Sequence, residues 1–309
     1  MTVFWALGVL VAAAILAAGA VWVSIRVAHR IGALDHPDGW RKDQALPIPR
    51  LGGVAVALVF SAGVIISFLA LGRLDDSIRA ASVLVPALLA AGLGYWDDRG
   101  GLSPYLRLLL QFGIGAVAVA LGTTVGVFGI WWLDGLIAVV WIMVVVNGVN
   151  LLDNTDGLAG TTVLVSAVGA TIIALIYGQN LVSLMGAALA GVAIGFLVFN
   201  WHPARVYLGD AGTYFLGVLL AILIIRLRPF EVPAWTGALI AVLLVFLPLM
   251  DTSYVVASRI RRGVHPFTPG RDHLSHWIQL RGVSVPASVG ILQIIQVVAV
   301  VFAVLLALR

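Results

Sequence analysis

The sequence predicts an all-α, polytopic integral membrane protein with about ten transmembrane helices. Hydrophobic residues make up 61% of the 309 residues, and charged residues make up only 10%. The mean hydropathy is +1.09. A soluble core cannot bury so large an apolar fraction, whereas each membrane-spanning helix uses about 20 apolar residues. The polar residues collect in short breaks between long apolar runs, as expected for helices joined by loops at the membrane surface.

Ten apolar runs have about the length that a spanning helix needs. Their approximate bounds are 4–28, 51–72, 80–96, 105–122, 131–150, 158–177, 182–200, 211–227, 235–258 and 286–308. These runs leave no room for a soluble domain, so residues 1–309 are interpreted as a single membrane domain. Pro86 and Pro248 lie inside apolar runs, where proline kinks a helix.

The basic residues predict the orientation of the chain. No Lys or Arg precedes the first run, while Arg26 and Arg30 follow it, which favours an external N-terminus and a cytoplasmic 29–50 loop. Thirteen of the eighteen Lys and Arg residues then lie on the cytoplasmic side, and both termini lie outside the cytoplasm. Ala18-Gly19-Ala20 resembles a signal cleavage site, but the missing basic n-region favours an uncleaved helix.

Composition also excludes several classes of function. The net charge of +4 arises at helix ends and does not indicate a nucleic-acid partner. The chain has no Cys, so it has neither disulfides nor thiol chemistry. Nine of the fourteen acidic residues fall in polar breaks on the predicted cytoplasmic face. Carboxylates beside a bilayer are costly and are usually functional. Several on one face favour a metal ion and a phosphorylated substrate at a membrane enzyme.

The first break is stiffened by prolines and is rich in basic residues. It begins near Asp35 and contains Lys42 and Arg50 before Gly52-Gly53. It is either a positive-inside anchor or a clamp for a phosphate group. In the second interpretation, the glycines at a helix start expose backbone N–H groups to an anion.

The second break contains the adjacent carboxylates Asp97 and Asp98. A helix N-cap needs only one such group, so capping alone explains the pair less well. Two carboxylates held close together raise each other's pKa or bind a divalent cation.

The third break combines amides and carboxylates at helical spacing. Asp153 and Asp156 would share a face if this stretch were helical, and Asn147 and Asn150 have the same spacing. Four polar groups could then line one stripe. The alternative is a polar turn in which Asp156 caps the next span.

The fourth break runs from Asn200 to Thr213 and places Asp210 between small residues at a predicted helix start. There Asp210 either approaches a metal or phosphate closely or caps the helix. The fifth break holds Arg271, His273 and His276. Two His without a third close ligand are weak evidence for zinc, so phosphate binding is preferred over a metal site or a solvated loop.

Taken together, these breaks resemble the polyprenyl-phosphate N-acetylhexosamine-1-phosphate transferase superfamily, glycosyltransferase family 4. The resemblance rests on Asp97-Asp98, on the segments 150–159, 200–213 and 271–276, and on 35–53, which is most similar to the bacterial undecaprenyl-phosphate N-acetylglucosamine-1-phosphate branch. Four positions, in three places, depart from the family pattern. Asn154-Thr155 replaces a commoner Gly-Leu, Gly270 stands where Asp is usual, and Ser275 replaces the first of two adjacent His. These departures concern the sugar preference more than the reaction.

The resemblance implies an Mg2+-dependent enzyme, with Mn2+ as an alternative, in the cell membrane. It would transfer a sugar 1-phosphate from a UDP-N-acetylhexosamine to undecaprenyl phosphate and release UMP, as the first membrane step of cell-envelope polysaccharide synthesis. Asp210 and Asp98 would hold the metal, Asp97 would deprotonate or orient the lipid phosphate, and Asp153 and Asp156 would hold the nucleotide. The substrate-binding residues would be Lys42, Arg50, Asn147, Asn150, Asn200, Tyr207, Arg271, His273 and His276. Of these, Tyr207 would stack on uracil.

Other functions remain open from the sequence. The donor could be another UDP-N-acetylhexosamine or UDP-MurNAc-pentapeptide. From a different class, a transporter or lipid flippase would place its charges near the bilayer midplane, often in broken helices. The charges here gather at one interface instead, which disfavours transport. The oligomeric state is also open, with a homodimer as one alternative.

Overall fold

The computed structural model describes residues 2–37, 46–71, 74–227 and 232–309. Within these ranges the chain forms twelve α-helices and one two-stranded antiparallel pair. In chain order the elements are α1 (Thr2–Ile31), β1 (Leu34–Asp35), β2 (Ile48–Pro49), α2 (Gly52–Leu71), α3 (Leu74–Gly100), α4 (Pro104–Ala120), α5 (Trp131–Leu152), α6 (Leu158–Ile176), α7 (Asn180–Asn200), α8 (Gly209–Arg226), α9 (Ala234–Leu244), α10 (Phe246–Arg261), α11 (Leu274–Gln279) and α12 (Val285–Ala307).

Most of these helices are long and apolar enough to cross a membrane, so the protein is an all-α, polytopic membrane protein. Among the described residues, seven helices meet that criterion singly: α1, α3, α5, α6, α7, α8 and α12. The bent pair α9–α10 can make an eighth span. Apolar stretches in α2 and α4 are shorter, at Gly52–Ser67 and Pro104–Ala120.

Helix α8 lies at the centre of the bundle. Its residues are buried without interruption from Ala211 to Ile225, whereas only 17% of the most apolar stretch of α1 is buried. A helix that is apolar all round is stable only when it is surrounded by other helices or lipid. Helices α2, α3 and α5 pack around α8. Because α8 begins at Gly209, its first turn carries Asp210 into the middle of the protein.

Glycines allow neighbouring helices to approach the first turn of α8 closely. A Cβ added at Gly53 of α2 would lie 2.2 Å from Gly212 Cα, and one added at Gly94 of α3 would lie 2.2 Å from the Asp210 carbonyl oxygen. On the far side, Gly191 and Gly195 of α7 meet the backbone of α1 in the same way. Small residues at such crossings are how membrane helices pack in close contact.

A bend of 74° separates α9 from α10. The bend follows from Pro248, which has no N–H to donate to the carbonyl of Leu244 four residues earlier. Gln296 of α12 compensates for this loss. Its Nε2 donates to Leu244 O at 2.9 Å, and its Oε1 accepts from Leu247 N at 2.8 Å. Pro86, by contrast, lies within α3, which continues as one helix.

The glycine contact at the α8 terminus yields a stability prediction. Gly53→Ala should lower the melting temperature strongly in detergent, because its Cβ would collide with backbone atoms that cannot move aside. Overpacking of this kind costs about 1–3 kcal/mol or more. Differential scanning fluorimetry measures the loss.

Gly63→Ala in the same helix is the matched control, because nothing lies within 4 Å of a Cβ added there. It should leave the melting temperature unchanged or raise it slightly, since Ala is the better helix former. Equal melting temperatures for the two variants would show that the close approach at Gly53 is not required.

Candidate active site

The five polar breaks meet at one end of the helix bundle. The first and fourth breaks pair through their backbones. Tyr207 N donates to Pro49 O at 2.8 Å, and Gly52 N and Gly53 N donate to Tyr207 O and Leu208 O at 3.1 Å each. The prediction that these two glycine N–H groups face an anion is therefore wrong, because both are already used. Their function is to let the first break lie against the fourth.

The two adjacent carboxylates of the second break have different partners. The Asp98 oxygens accept from Asp210 N at 3.1 Å and Ala211 N at 3.2 Å, so Asp98 caps the first turn of α8 from another helix. Asp97 is buried and accepts from Leu102 N and from the Tyr214 hydroxyl, each at 2.8 Å. Both carboxylates are thus held by α8 or by the following turn, and neither is a mobile surface group.

A guanidinium group completes the surroundings of Asp97. Arg107 Nη1 lies 3.5 Å from Asp97 Oδ2. Its Nε is buried without a hydrogen-bond partner in the described part of the chain. Sequence reasoning did not select Arg107 or Tyr214 as site residues. Arg107 could have been found, because it lies one turn into the helix that follows the Asp-Asp break.

The Asp210 carboxylate is held on one oxygen only. Asn150 Nδ2 donates to Asp210 Oδ1 at 2.6 Å and to Thr213 Oγ1 at 2.9 Å. Within the described ranges, the second oxygen of Asp210 accepts no hydrogen bond. Asn147, one turn earlier in α5, donates instead to Gln111 Oε1 at 2.7 Å and to Met143 O. The two asparagines therefore face different neighbours.

Asp153 lies among other carboxyl groups at the end of α5. It caps the C-terminus of α5, and its side chain makes no hydrogen bond to any other described residue. Burial raises the pKa of the Asp153 carboxyl well above its usual range, and the carboxylates of Asp210, Asp98, Asp156 and Asp35 raise that pKa further. Carboxylates that repel each other in this way are stabilised by a cation between them.

The carboxylates of the site can be compared with the ligands that a divalent cation needs. No three His, Asp or Glu side chains in the described part of the chain form a ready-made metal cage. Mg2+ does not require one, since it is usually held by one or two carboxylates together with waters and substrate phosphates. The unshared oxygens of Asp210 and Asp153 match that preference, so the residues fit Mg2+.

The third break is a turn rather than a helix. Helix α5 ends at Leu152, and Gly157 has a φ of 78° just before α6 begins. The conditional prediction that Asp153 and Asp156 share a helical face is therefore wrong. Asp156 Oδ2 is contacted by His202 Nδ1 at 2.8 Å and by Ala204 N at 3.0 Å, which ties the third break to the fourth.

Asn200 lies inside the protein rather than at its surface. It is 2% exposed. Its Oδ1 accepts from Gly157 N at 3.0 Å, and its Nδ2 donates to Val206 O at 2.8 Å. Both ends of the amide bind backbone groups, so Asn200 holds the third and fourth breaks together and does not face a substrate in this state.

Tyr207 and Arg50 lie where the first and fourth breaks meet. Tyr207 is half-buried, and burial together with the nearby Asp156, Asp35 and Asp153 carboxylates raises the pKa of its hydroxyl. Arg50 Nη1 lies 3.6 Å from Asp35 Oδ1. Lys42, the remaining predicted phosphate ligand of this break, lies outside the described residues.

Two pairs of acidic and basic side chains link the final loop to α10. The Asp251 carboxylate lies 2.8 Å from His273 Nδ1 and accepts from Leu274 N at 2.8 Å. Asp251 therefore binds the loop that carries Arg271, His273 and His276, called the His loop below. Asp272 accepts from both Nε and Nη2 of Arg259 at 2.9 Å. These hydrogen bonds lower the pKa of Asp272 to about 2. Asp272 stands beside the predicted Arg271 and was missed, as was His202 within the fourth break.

The His276 ring lies deeper than its position on a loop suggests. Burial lowers the pKa of His276, and the positive charges of His273 and Arg271 lower it further. Its ring centroid is 5.6 Å from that of His273, in an edge-to-face arrangement. This shift favours the neutral form of His276, which has only one N–H to donate. Arg271 is exposed at the edge of the same loop.

Comparison with known proteins agrees with this geometry. Residues 80–228 match the model of glycosyl transferase family 4. The chain is 29% identical to a Bacillus subtilis protein named probable undecaprenyl-phosphate N-acetylglucosaminyl 1-phosphate transferase, over 87% of this chain and 76% of that protein. It is 30% identical to the decaprenyl-phosphate N-acetylglucosaminephosphotransferase of Mycobacterium leprae, over 81% and 71% of the two chains. It is 26% identical to the undecaprenyl-phosphate alpha-N-acetylglucosaminyl 1-phosphate transferase of Escherichia coli K12, over 83% and 72%.

The Arg259–Asp272 pair predicts a pH-dependent stability. Because the folded-state pKa of Asp272 is depressed, the pair stabilises the protein above pH 3.8 and loses that contribution as the pH falls through about 2. The contribution at neutral pH is about 2 kcal/mol. Asp272→Asn should therefore melt well below the wild type at pH 7, and the gap should narrow below pH 4.

Arg262→Gln serves as the control for this prediction. Arg262 also binds Asp272, but its side chain is 54% exposed. Exposed pairs contribute less than about 1 kcal/mol. A melting temperature of Asp272→Asn equal to that of Arg262→Gln at pH 7 would contradict the assignment of the buried pair.

Proposed function

The chain belongs to glycosyl transferase family 4, and from that premise we propose that it transfers N-acetylglucosamine 1-phosphate from a UDP-sugar to undecaprenyl phosphate. UMP is the second product, and the reaction is the first membrane step of cell-envelope polysaccharide synthesis. The observation that carries the proposal is the convergence of Asp98, Asp153 and Asp210 at one end of the bundle, close enough that Asp210 and Asp98 both raise the pKa of the Asp153 carboxyl. The names of the relatives support the same substrates.

The reaction is a phosphoryl transfer at the β-phosphorus of the donor. A phosphate oxygen of the lipid attacks the β-phosphorus of the donor and forms the new P–O bond. The bond from the β-phosphorus to the bridging oxygen of the pyrophosphate breaks, and UMP leaves with the bridging oxygen. A phosphate monoester has a second pKa of about 6, so at neutral pH the nucleophile is already largely ionised. Asp97, which is held by Tyr214 and Arg107, would therefore mainly orient the lipid phosphate.

Charge neutralisation is the main demand that the reaction makes on the protein. Phosphoryl transfer depends on positioning and on the compensation of phosphate charge. Asp210, Asp153 and Asp98 would hold Mg2+ or Mn2+, with Asp98 using the lone pairs that its two backbone hydrogen bonds leave free. When bound, this ion would act as a Lewis acid toward the pyrophosphate. Arg50, Arg271 and Lys42 add fixed positive charge, and His276 supports the site through its hydrogen bond to the Asn154 backbone.

The nucleotide is proposed to lie between the third and fourth breaks. Tyr207 would stack on the uracil, and Asp156 and Asn150 would shape the cleft around the ribose and phosphates. His273, oriented by Asp251, would reach the donor phosphates from the opposite wall. Asn147 and Asn200 act through Gln111 and through the loop backbone, respectively.

The proposed setting is the cell membrane, with ten spans, a cytoplasmic active site and both termini outside. The ten spans would comprise the seven long helices, the α9–α10 pair and the shorter α2 and α4. Thirteen of the eighteen Lys and Arg residues support the orientation. The chain would act as a single domain, and a homodimer is the assembly to test by crosslinking in native membranes.

A transporter or flippase is the rival from another class. Transport sites lie near the bilayer midplane. Gln296 and Ser166, in the middle of α12 and α6, bind each other, and Gln296 also binds the backbone. The carboxylates of Asp98, Asp153 and Asp210 lie at helix ends instead. This placement supports an interfacial enzyme over a transporter.

The function is tested by reconstituting the purified protein with undecaprenyl phosphate and Mg2+. Radiolabelled UDP-GlcNAc should yield a labelled lipid and UMP, and EDTA should abolish the product. Asp210→Asn should lower kcat at least about a hundredfold, because the carboxylate that binds the ion is lost. Product formed only from UDP-MurNAc-pentapeptide would overturn the choice of donor.

Asp134→Asn is the matched control for the loss of a buried carboxylate. Asp134 is 3% exposed and accepts from Val127 N and Phe128 N at the opposite end of the bundle. This variant should lose stability but keep its Mg2+-dependent turnover. Near wild-type rates for Asp210→Asn at limiting Mg2+ would refute the metal assignment.

The topology is tested separately with reporter fusions. A reporter that works only outside the cytoplasm should be active when it is fused after Arg309. A reporter inserted in the 263–271 loop should show cytoplasmic behaviour. Activity of a cytoplasm-only reporter at Arg309 would show that the proposed number of spans is off by one.

A further inference from the structure

Two of the positions that depart from the family pattern are in direct contact. Ser275 is fully buried in α11, and its Oγ donates to Asn154 Oδ1 at 2.7 Å. The neighbouring His276 ring hydrogen-bonds the backbone of Asn154. Two consecutive residues of the final loop therefore bind the same residue of the third break.

Asn154 lies between the two carboxylates of the third break. Its Oδ1 also accepts from Thr155 Oγ1 at 2.7 Å, and its Nδ2 donates to Leu151 O. The side chain thus binds the end of α5, the turn itself and α11 at once. Asp153, next to it, makes no side-chain hydrogen bond to the rest of the described chain. The position of the Asp153 carboxylate therefore depends on the backbone that Asn154 holds.

A second link supports the same connection. Gln279, at the end of α11, lies within reach of Thr155 Oγ1 at 3.5 Å and donates to Ser288 Oγ of α12 at 3.1 Å. Helix α11 is only six residues long and cannot fix its own position. Its attachment to the 153–157 turn and to α12 gives it a defined place beside the carboxylates.

From these contacts we propose that Asn154 and Ser275 are a pair of positioning residues, which together hold the Asp153–Asp156 turn and the His loop in one active geometry. This proposal rests on the proposed function for its catalytic consequence only. The pair contacts neither product nor donor, because the hydrogen-bonding groups that Asn154 uses are directed at the protein. Its loss should therefore reduce kcat more than it changes the KM for the donor.

The first measurement is hydrogen–deuterium exchange on the full-length protein in nanodiscs without substrate. The reporters are the amides of Asp153 and Leu158, which donate within the turn, and of Trp277, which donates to His273 O. Ser275→Ala should speed exchange in both segments, 153–158 and 274–280. Unchanged exchange in the 153–158 segment would overturn the proposal, whatever the activity of the enzyme.

The second measurement is turnover of Ser275→Ala, Asn154→Ala and the double variant. Loss of one such hydrogen bond should lower kcat roughly threefold to tenfold. The donor KM should change by less than about twofold. The double variant should be no slower than Asn154→Ala alone, because residues that act as a pair are not additive. Multiplicative losses, or faster exchange with unchanged kcat, would refute a positioning role.

Ser183→Ala is the control for loss of a buried serine hydroxyl. Ser183 is fully buried and donates to Asn180 O at the other end of the bundle. It should change neither the exchange of the 153–158 segment nor kcat. If Asn154→Ala yields no folded protein, Ser275→Ala decides through exchange and kcat. If the wild type transfers no sugar phosphate, the proposed function fails, while the exchange result still accepts or rejects the link.

Discussion

The contacts made by the first turn of α8 position the other residues of the cleft. Its free N–H groups lie inside the protein, where unpaired backbone donors are costly. Asp98 satisfies two of them from α3, and Gly53 and Gly94 let α2 and α3 come close enough to do so. Because Asp210 belongs to this turn, the same contacts place its carboxylate against Asn150. A structural requirement of a buried helix end thus also sets the geometry of the proposed metal site.

This arrangement explains why so many motif residues bind the protein rather than open space. Asn200 and Asp156 each connect the third and fourth breaks, and Asp97 connects the second break to α8. Irregular backbone at the edge of a membrane needs such partners, because water supplies few of them there. Among the described carboxylates of the breaks, Asp153 and one oxygen of Asp210 keep unused acceptor groups, and they are the best placed to meet an ion.

Much of this could be predicted from the sequence, for identifiable reasons. Long apolar runs predict helices, and the breaks with carboxylates predict the end of the bundle where the site lies. The partners of individual residues could not be predicted. Gly52 and Gly53 fit an anion-binding loop by sequence, but Tyr207 and Leu208, more than 150 residues away, take their N–H groups. The Asp153–Asp156 spacing left a helical stripe and a polar turn open, and the structure has a turn because α5 ends at Leu152. Arg107 lies close to the Asp-Asp break in the sequence, but its contact with Asp97, like that of Asp272 with Arg259, is visible only in the structure.

The bend between α9 and α10 has a mechanical consequence. Gln296 occupies both backbone groups that the break leaves open, and it does so from α12 in a fully buried position. Straightening or further bending of this elbow would expose a carbonyl and an amide to hydrocarbon, which costs several kcal/mol. The bend between α9 and α10 is therefore rigid and does not act as a hinge. The two hydrogen bonds of Gln296 therefore join α9, α10 and α12 into one rigid unit.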